Sequence, residues 1–364
     1  MKTPTLIFSI LFLLFSFVVK AQDKSTLELK AYGDVYYGFY PDNSFSGLQT
    51  YSTSSPRNSI GLNNLQLGLH YTSKDIRSSM TLHHGDIAQA TWDNTFDMVQ
   101  EANVGVQLFT DWWLDAGLFR THIGTESFLP KNNDLSIISI ITYNEPFYQA
   151  GAKLAYEGSE KFDLEFWIAN GYNQFIDINT AKSLGLLFTY HISDMHSVTY
   201  TNLTGDETNN GVLPATDIMR SYHNLYYNGN IKNKVKLTFG VDYGLQNNTE
   251  FTTDPSNFLA FLGTVRFILT KKSALTVRYE YFDDPSGFIG GGYFLNPMEE
   301  RFYGYTIQGI TGGYEYAPSE SSFIRIEGRF LDELNDAPNV FAGNSKPTRM
   351  EWMINMGTFF DKKW

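Results

Sequence analysis

The sequence feature that most constrains the fold is an alternation of apolar and polar residues that recurs from about Thr26 to Phe360. Within FDLEFWIA at 162–169, the phenylalanines, leucine and isoleucine share one face and Asp163 and Glu165 share the other, because successive side chains of a β-strand point to opposite faces. A soluble sheet would bury the apolar face in a core. A membrane barrel turns it towards lipid and keeps the polar face inside.

The alternation predicts about sixteen strands. They cover residues 26–40, 58–72, 76–90, 98–109, 112–123, 147–157, 161–171, 183–192, 196–205, 220–230, 234–245, 258–270, 273–283, 302–316, 321–331 and 349–360. Several are longer than the ~9–11 residues that a tilted strand needs to cross a bilayer, so we expect them to project beyond the membrane.

The connections between these strands alternate between short and long. The short ones are polar tight turns such as 73–75 and 193–195, whereas the long ones, such as 41–57, 124–146 and 284–301, hold most of the proline. This alternation is typical of outer-membrane barrels, which have short periplasmic turns and long extracellular loops. The sequence therefore predicts an all-β fold: a transmembrane antiparallel β-barrel of about 16 strands, with both termini in the periplasm.

The competing fold is a secreted β-sandwich or β-solenoid. Arginine and glutamate on the faces opposite the apolar stripes argue against it, because a dry core would cost several kcal/mol of desolvation per ion. Aromatic residues make up 16% of the chain, as expected for girdles at two membrane interfaces. The absence of cysteine excludes disulfides, zinc–thiolate sites and cysteine nucleophiles.

The first 21 residues resemble a targeting segment. Lys2 supplies a basic start, Leu6 to Val19 form an almost wholly apolar stretch, and the expected cleavage site follows Ala21. We expect a signal peptide at 1–21, Sec export with cleavage near Ala21, and a single outer-membrane barrel domain at 22–364. The alternative is an uncleaved anchor. No later stretch approaches the ~18–20 apolar residues of a spanning helix.

The net charge of the chain limits the classes of partner that it is expected to bind. There are 27 Lys and Arg against 39 Asp and Glu, a formal net charge of -12. A chain this acidic is not expected to bind nucleic acid. Outer-membrane lipid and small hydrophilic solutes or ions are the expected partners, and the sequence leaves monomer and trimer open.

Four segments of the central third are more specific than periodicity. They are VQEANVGV at 99–106, LDAGLFRTHIGTES at 114–127, YNEPFYQAGAKL at 143–154 and ANGYN at 169–173. In this order they resemble the OmpL-like β-barrel porins of Gram-negative, mainly Bacteroidetes-type, outer membranes. The resemblance implies an outer-membrane, pore-forming role without a particular substrate. One departure is the C-terminus, where DKKW follows Phe360, so the closing aromatic is either Phe360 or Trp364.

Charged residues on the predicted inner face form the main candidate site. They are Arg266, Arg278, Glu280, Arg325, Glu327, Arg329, Arg349 and Glu351. One interpretation is a pore wall whose charges bias which solutes pass. The other is a salt-bridge ladder that stiffens the barrel. An even register would place Arg329 opposite Glu351.

The long connection at 124–146 is the second candidate. Its flanks contain His122, Glu126 and Glu145, and its middle, 135–141, is unusually apolar for an exposed loop. Long loops in compact domains are usually functional or mobile. We therefore expect a constriction loop that folds into the lumen; the alternative is an exposed surface loop.

The sequence gives little sign of an enzyme. His191 and His196 flank a turn with Asp194, but no metal or other cofactor is expected, and no Gly-x-Ser-x-Gly elbow is present. The expected function is a porin that allows passive diffusion through a water-filled, charge-lined lumen. Two alternatives stay open: a plugged barrel with an adhesion or structural role at the surface, and an outer-membrane hydrolase, which needs Ser and His at one height.

Overall fold

In the computed structural model, residues 25–39, 58–177, 179–208, 218–247, 255–291, 293–294, 302–335, 341 and 347–364 are described. The predicted signal peptide at 1–21 lies outside these residues, as does the whole of the predicted loop 41–57. Parts of the predicted loops 206–219, 246–257, 284–301 and 332–348 also lie outside them.

The predicted barrel is confirmed: sixteen antiparallel strands form one closed sheet. The strands of the chain are β1 Thr26–Phe39, β2 Ser59–Thr72, β3 Ile76–His84, β4 Val99–Phe109, β5 Trp112–Arg120, β6 Tyr148–Tyr156, β7 Phe162–Ala169, β8 Ser183–Ser193, β9 His196–Asp206, β10 Met219–Ile231, β11 Val235–Gln246, β12 Ser256–Thr270, β13 Ser273–Asp284, β14 Tyr293–Phe294, β15 Phe302–Tyr303, β16 Tyr305–Tyr316, β17 Ser322–Glu333 and β18 Thr348–Lys363. Strands β14 and β15 form a separate two-stranded sheet, and β13 pairs with β16 in the barrel.

The period-two pattern determines which side chains face outwards. On β17, Ile326 and Phe330 keep 51% and 45% of their surface exposed, whereas Arg325 and Glu327 keep 4% and 1%. Apolar residues therefore point away from the barrel and charged residues point into it, which is the arrangement of a membrane barrel.

The barrel closes between its first and last strands. Strand β18 pairs with β1 from Trp352, opposite Phe39, to Lys363, opposite Glu28. Beyond that pair, the backbone N–H of Trp364 donates to the carbonyl of Leu27 at 2.9 Å. The closing strand thus continues past Phe360 to Lys363.

Two predicted strands are wrong in their bounds. The predicted strand 76–90 ends at His84, because Gly85 adopts a φ of 134° that favours glycine, and a short helix follows at Asp86–Thr91. The predicted strand 302–316 is divided at Gly304 into β15 and β16. The other helical segments are a 3₁₀ turn at Pro130–Asn132 and a helix at Ile140–Asn144. No helix among the described residues is both long and apolar enough to cross a membrane.

Part of the lumen is packed with apolar side chains. One cluster joins wall residues such as Tyr222, Phe258 and Phe282 to Ile140 and Ile141 of the segment between β5 and β6. A second cluster gathers Tyr32, Ile87, Trp92, Phe128, Leu129, Phe147, Tyr148 and Phe323. The same segment therefore contacts two sides of the barrel, and its packing contributes to the core.

The outward pattern predicts the effect of a charge on the lipid face. Replacing Ile326, near the middle of β17, with arginine should destabilise the barrel by about 2–4 kcal/mol if that face lies in hydrocarbon. The matched control Ile326→Leu should stay within about 1.5 kcal/mol of the unchanged protein. Urea unfolding in lipid vesicles measures both, and equal stabilities would show that the face does not contact lipid.

Candidate functional site

The candidate site is centred on a segment between β5 and β6, residues 121–147, which we call the lumen loop. The structure places it inside the barrel. Its middle is almost fully covered, with Leu135, Ile138 and Ile140 each at 2% exposure or less. The Ser139 side chain accepts a hydrogen bond from the backbone N–H of Thr142 at 3.3 Å and so caps the short helix that begins at Ile140.

Carboxylates of the wall bind backbone N–H groups of the lumen loop. The two oxygens of Glu327 accept from the N–H of Ser136 at 2.6 Å and of Ile137 at 2.8 Å. On β13, Glu280 accepts from the N–H of Ile140 at 2.7 Å. These are charge-assisted hydrogen bonds, which are about twice as strong as neutral ones. They satisfy backbone donors that an irregular buried segment would otherwise leave unpaired.

Arginines of the same wall bind the loop's carbonyl groups. Arg278 donates to the carbonyl of Ile137 at 2.6 Å and pairs with Glu126 at 3.0 Å. Arg325 donates to the carbonyl of Pro130 at 2.9 Å and of Asn133 at 2.8 Å. Wall and loop are thus complementary in both donors and acceptors.

The remaining predicted wall residues connect these contacts into a ladder. Arg329 lies opposite Glu351 in register, at 3.7 Å, and pairs with Glu280 at 3.0 Å. Arg349 pairs with Glu351 at 3.1 Å. Arg266 pairs with Glu315 and lies 3.4 Å from Asp134 of the loop.

All eight predicted wall residues therefore face the lumen side, but the loop and their own partners cover them. Arg278, Glu280, Arg325, Glu327, Arg329, Arg349 and Glu351 are each exposed by 4% or less. The side chain of Arg266 is exposed by 12%. In this conformation Arg266, Arg278, Glu280, Arg325 and Glu327 contact the lumen loop, and Arg329, Arg349 and Glu351 pair with other residues of the wall. That they also select solutes stays a prediction.

Glycines of the wall leave room for side chains of the loop. A Cβ at Gly313 would lie 2.6 Å from Leu135, and a Cβ at Gly240 would overlap Thr125. The neighbouring Gly312 faces outwards, with nothing within 4 Å of a Cβ. Each of the two inward-facing glycines, Gly240 and Gly313, thus forms a notch that a loop side chain fills. Sequence reasoning missed these notches. Glycine at an inward-facing strand position was the available signal.

His122 anchors the start of the lumen loop to the opposite wall. Its ring stacks on Trp167 with centroids 4.6 Å apart, and Nε2 lies 2.9 Å from the carbonyl oxygen of Asn202. Burial lowers the pKa of His122 to about 4, so the ring is neutral at ordinary pH. Nε2–H then donates to Asn202.

Glu145, at the other end of the loop, is 3% exposed. Its oxygen Oε1 has no hydrogen-bond partner among the described residues. Burial raises the pKa of Glu145 well above its ordinary value, and the nearby carboxyl groups of Asp242 and Glu126 raise it further. The predicted constriction residues thus differ: Glu126 is paired with Arg278, whereas Glu145 is not part of an ion pair in the described structure.

One open space of the lumen lies along the wall opposite the arginine ladder, and another, of about 460 Å³, borders Arg266 and Arg325 of the ladder. A cavity of about 660 Å³ separates the loop from β3–β8 and β10. Its polar lining includes three close ion pairs: Arg77 with Asp115, Arg120 with Glu101, and Lys153 with Glu165. Both signs of charge therefore face this space.

The hydrolase alternative requires a serine and a histidine together, and the structure provides two such pairs. His70 Nδ1 lies 2.9 Å from Ser79 Oγ, but Glu101 is 3.9 Å from Nε2, too far for the hydrogen bond that orients a catalytic histidine. His223 Nε2 lies 2.9 Å from Ser221 Oγ, and an acidic partner for His223 is not found among the described residues. Neither pair is a complete triad.

The two histidines that flank the turn at Asp194 contact different partners. His191 pairs with Asp163 at 2.8 Å, whereas His196 contacts the hydroxyl of Tyr227 at 2.5 Å. Across the described part of the chain, no three His, Cys, Asp or Glu side chains are placed to hold a metal ion.

Comparisons with known proteins agree with this architecture. The profile of one family, described as "Putative beta-barrel porin-2, OmpL-like", matches residues 26–360. No curated protein matches the chain. Among solved structures, the anion-selective porin from Comamonas acidovorans is similar at a TM-score of 0.63 and 11% identity, covering 93% of this chain and 100% of that one.

Two further solved structures have the same fold. The outer membrane channel DcaP of Acinetobacter baumannii has a TM-score of 0.60 at 12% identity, covering 94% of this chain and 99% of that one. Salmonella typhi OmpF, in complex with daunomycin, has a TM-score of 0.57 at 13% identity, covering 93% of this chain and 98% of that one. At these identities the likeness extends to the fold alone.

The glycine notch predicts how the loop can be released. Gly313→Val should displace Leu135 and undock the lumen loop, whereas Gly312→Val should leave it in place. Because the chain has no cysteine, a single Ile138→Cys reporter measures the result. Maleimide labelling should be faster by at least about tenfold in the Gly313→Val background, which corresponds to about 1.4 kcal/mol. Equal labelling rates in the Gly313→Val and Gly312→Val backgrounds would contradict the prediction that Gly313 makes room for the docked loop.

Proposed function

Because the chain belongs to the OmpL-like β-barrel porin family, we propose that it is an outer-membrane porin whose lumen loop opens and closes the path for small hydrophilic solutes or ions. The observation that carries this proposal is the set of hydrogen bonds that backbone N–H groups of the loop donate to Glu327 and Glu280. They hold an irregular segment across the lumen through groups that water can also satisfy.

The proposal explains why charged residues cover the inner wall. A barrel of sixteen strands leaves an aqueous channel unless something fills it. When the loop is docked, the arginine ladder binds it. When the loop leaves, the same residues line the channel and bias which ions pass. Transport is then passive, without a cofactor and without covalent chemistry.

The proposed route to the membrane follows from the N-terminal sequence. Residues 1–21 direct export through the Sec pathway and are removed near Ala21, and residues 22–364 form one barrel domain. The alternation of turns and loops supports an orientation with both termini in the periplasm.

A plugged barrel with a role at the cell surface is the second candidate. The observation that favours it is the apolar packing of Ile140 and Ile141 against Tyr222, Phe258 and Phe282. This packing adds to the electrostatic contacts and disfavours opening. Conductance distinguishes the two candidates, because a permanent plug passes no ions in any variant.

Glu327→Gln tests the contacts of the lumen loop. The purified protein should conduct ions in planar bilayers. The variant should be open more often, because two hydrogen bonds lose their charged acceptor, and a hydrogen bond to a charged group contributes about 1.5–3 kcal/mol. Glu351→Gln is the matched control, since this buried carboxylate pairs with Arg349 and Arg329. Open probability should rise at least about tenfold for Glu327→Gln and by less for Glu351→Gln. Absence of conductance in every variant would contradict the porin.

Ion selectivity tests whether the charged wall biases which ions pass. In the Gly313→Val background, which undocks the loop, adding Arg325→Glu should shift the reversal potential in a KCl gradient towards cation selectivity, because Arg325 then lines the open channel. The single Gly313→Val variant is the control. An unchanged reversal potential would show that the ladder only supports the loop.

A further inference from the structure

We propose that docking of the lumen loop is controlled by a proton: the buried carboxyl groups of Glu145 in the loop and Asp242 in β11 keep the loop docked while a proton is bound and release it when both groups ionise. The inference rests on the proposed porin function and assigns its regulation.

The first support is the geometry around Asp242, which is 0% exposed. Its Oδ1 accepts from the hydroxyl of Tyr222 at 2.9 Å and from Asn224 Nδ2 at 2.8 Å. Asn224 also donates to Thr125 Oγ1 of the loop at 3.0 Å. Asp242 is therefore linked to the docked loop through a single side chain.

The second support is the unmet hydrogen-bonding capacity of both acids. Asp242 Oδ2 and Glu145 Oε1 are buried, and neither has a hydrogen-bond partner among the described residues. A buried ionised carboxylate that lacks an ion-pair partner and leaves one oxygen unsatisfied is costly, whereas a protonated carboxyl removes the charge and supplies a donor. The docked state therefore favours at least one proton on these two groups.

The third support is the surroundings of Glu145. The titratable groups that interact electrostatically with Glu145 are Asp242, Glu126 of the same loop, and the hydroxyls of Tyr172, Tyr222 and Tyr226. Of the cations next to these groups, Arg278 of β13 is engaged by Glu126 and Glu280, and Arg220 of β10 lies 4.8 Å from the centre of the Tyr172 ring. In the described structure no cation forms an ion pair with Glu145 or Asp242, so their ionisation would add uncompensated negative charge.

The direction of the pH dependence follows from the raised pKa of Glu145, caused first by burial and then by Asp242 and Glu126. In a released loop the group returns towards the ordinary glutamate pKa of about 4.3. The docked state therefore binds the proton more tightly. Docking is strongest at acid pH and is lost as pH rises through the raised pKa, so the channel opens towards alkaline pH.

The experiment is the open probability in planar bilayers between pH ~5 and pH ~9, the range in which an ordinary glutamate is already ionised. The unchanged protein should open as pH rises. Glu145→Gln, which cannot ionise, should stay closed, with an open probability at least about tenfold lower at the alkaline end. Glu160→Gln is the matched control, because this exposed carboxylate lies in the turn between β6 and β7, away from the lumen loop, and it should follow the unchanged protein. A Glu145→Gln profile identical to that of the unchanged protein would overturn the proton lock.

The Gly313→Val variant separates this inference from the function on which it rests. With the loop undocked, it should conduct at every pH. If it conducts while the unchanged protein shows no pH dependence, the proton lock is wrong and the porin stands. If it does not conduct at any pH, the proposed porin function fails and the lock fails with it.

Discussion

The structure depends on one constraint, which is that charges buried inside the barrel must be paired. Removing one partner from a buried ion pair costs about 3–5 kcal/mol. The wall carries Arg278, Arg325 and Arg329 at 4% exposure or less, and the lumen loop carries an irregular backbone whose N–H and C=O groups need partners. The charged side chains of the wall and the backbone groups of the loop satisfy one another, so the loop docks against the charged wall.

The same pairing is compatible with the two conformations of the proposed function. Charges and backbone groups that bind each other in the docked state are also satisfied by water when the loop leaves, because a lumen of sixteen strands is wide enough to be hydrated. The apolar contacts of Ile140 and Ile141 have no such alternative in water. They favour docking, whereas hydration of the ladder favours release.

Sequence reasoning could predict the fold because a period of two identifies strands and faces without tertiary information. It identified the charged wall, the register of Arg329 with Glu351 and the apolar middle of the loop. It could not predict that Glu327 binds Ser136, 191 residues away, because a local pattern carries no record of which inner face a loop contacts. It also misplaced the end of β3, where the backbone of Gly85 rather than any side-chain pattern ends the strand.

The buried acids argue for a loop that moves. If the lumen loop were a permanent plug, Glu145 and Asp242 would only weaken it, since an amide at either position would remove a costly ionisable group without changing its size. The strong contacts of Glu327, Glu280 and Arg278 offset that cost in the docked state. When strong contacts and two destabilising acids occur together, the free-energy difference between the docked and released loop is smaller than the contacts alone would give. Only a near-balanced equilibrium can be shifted by one proton, because a shift of one pKa unit changes it by about 1.4 kcal/mol.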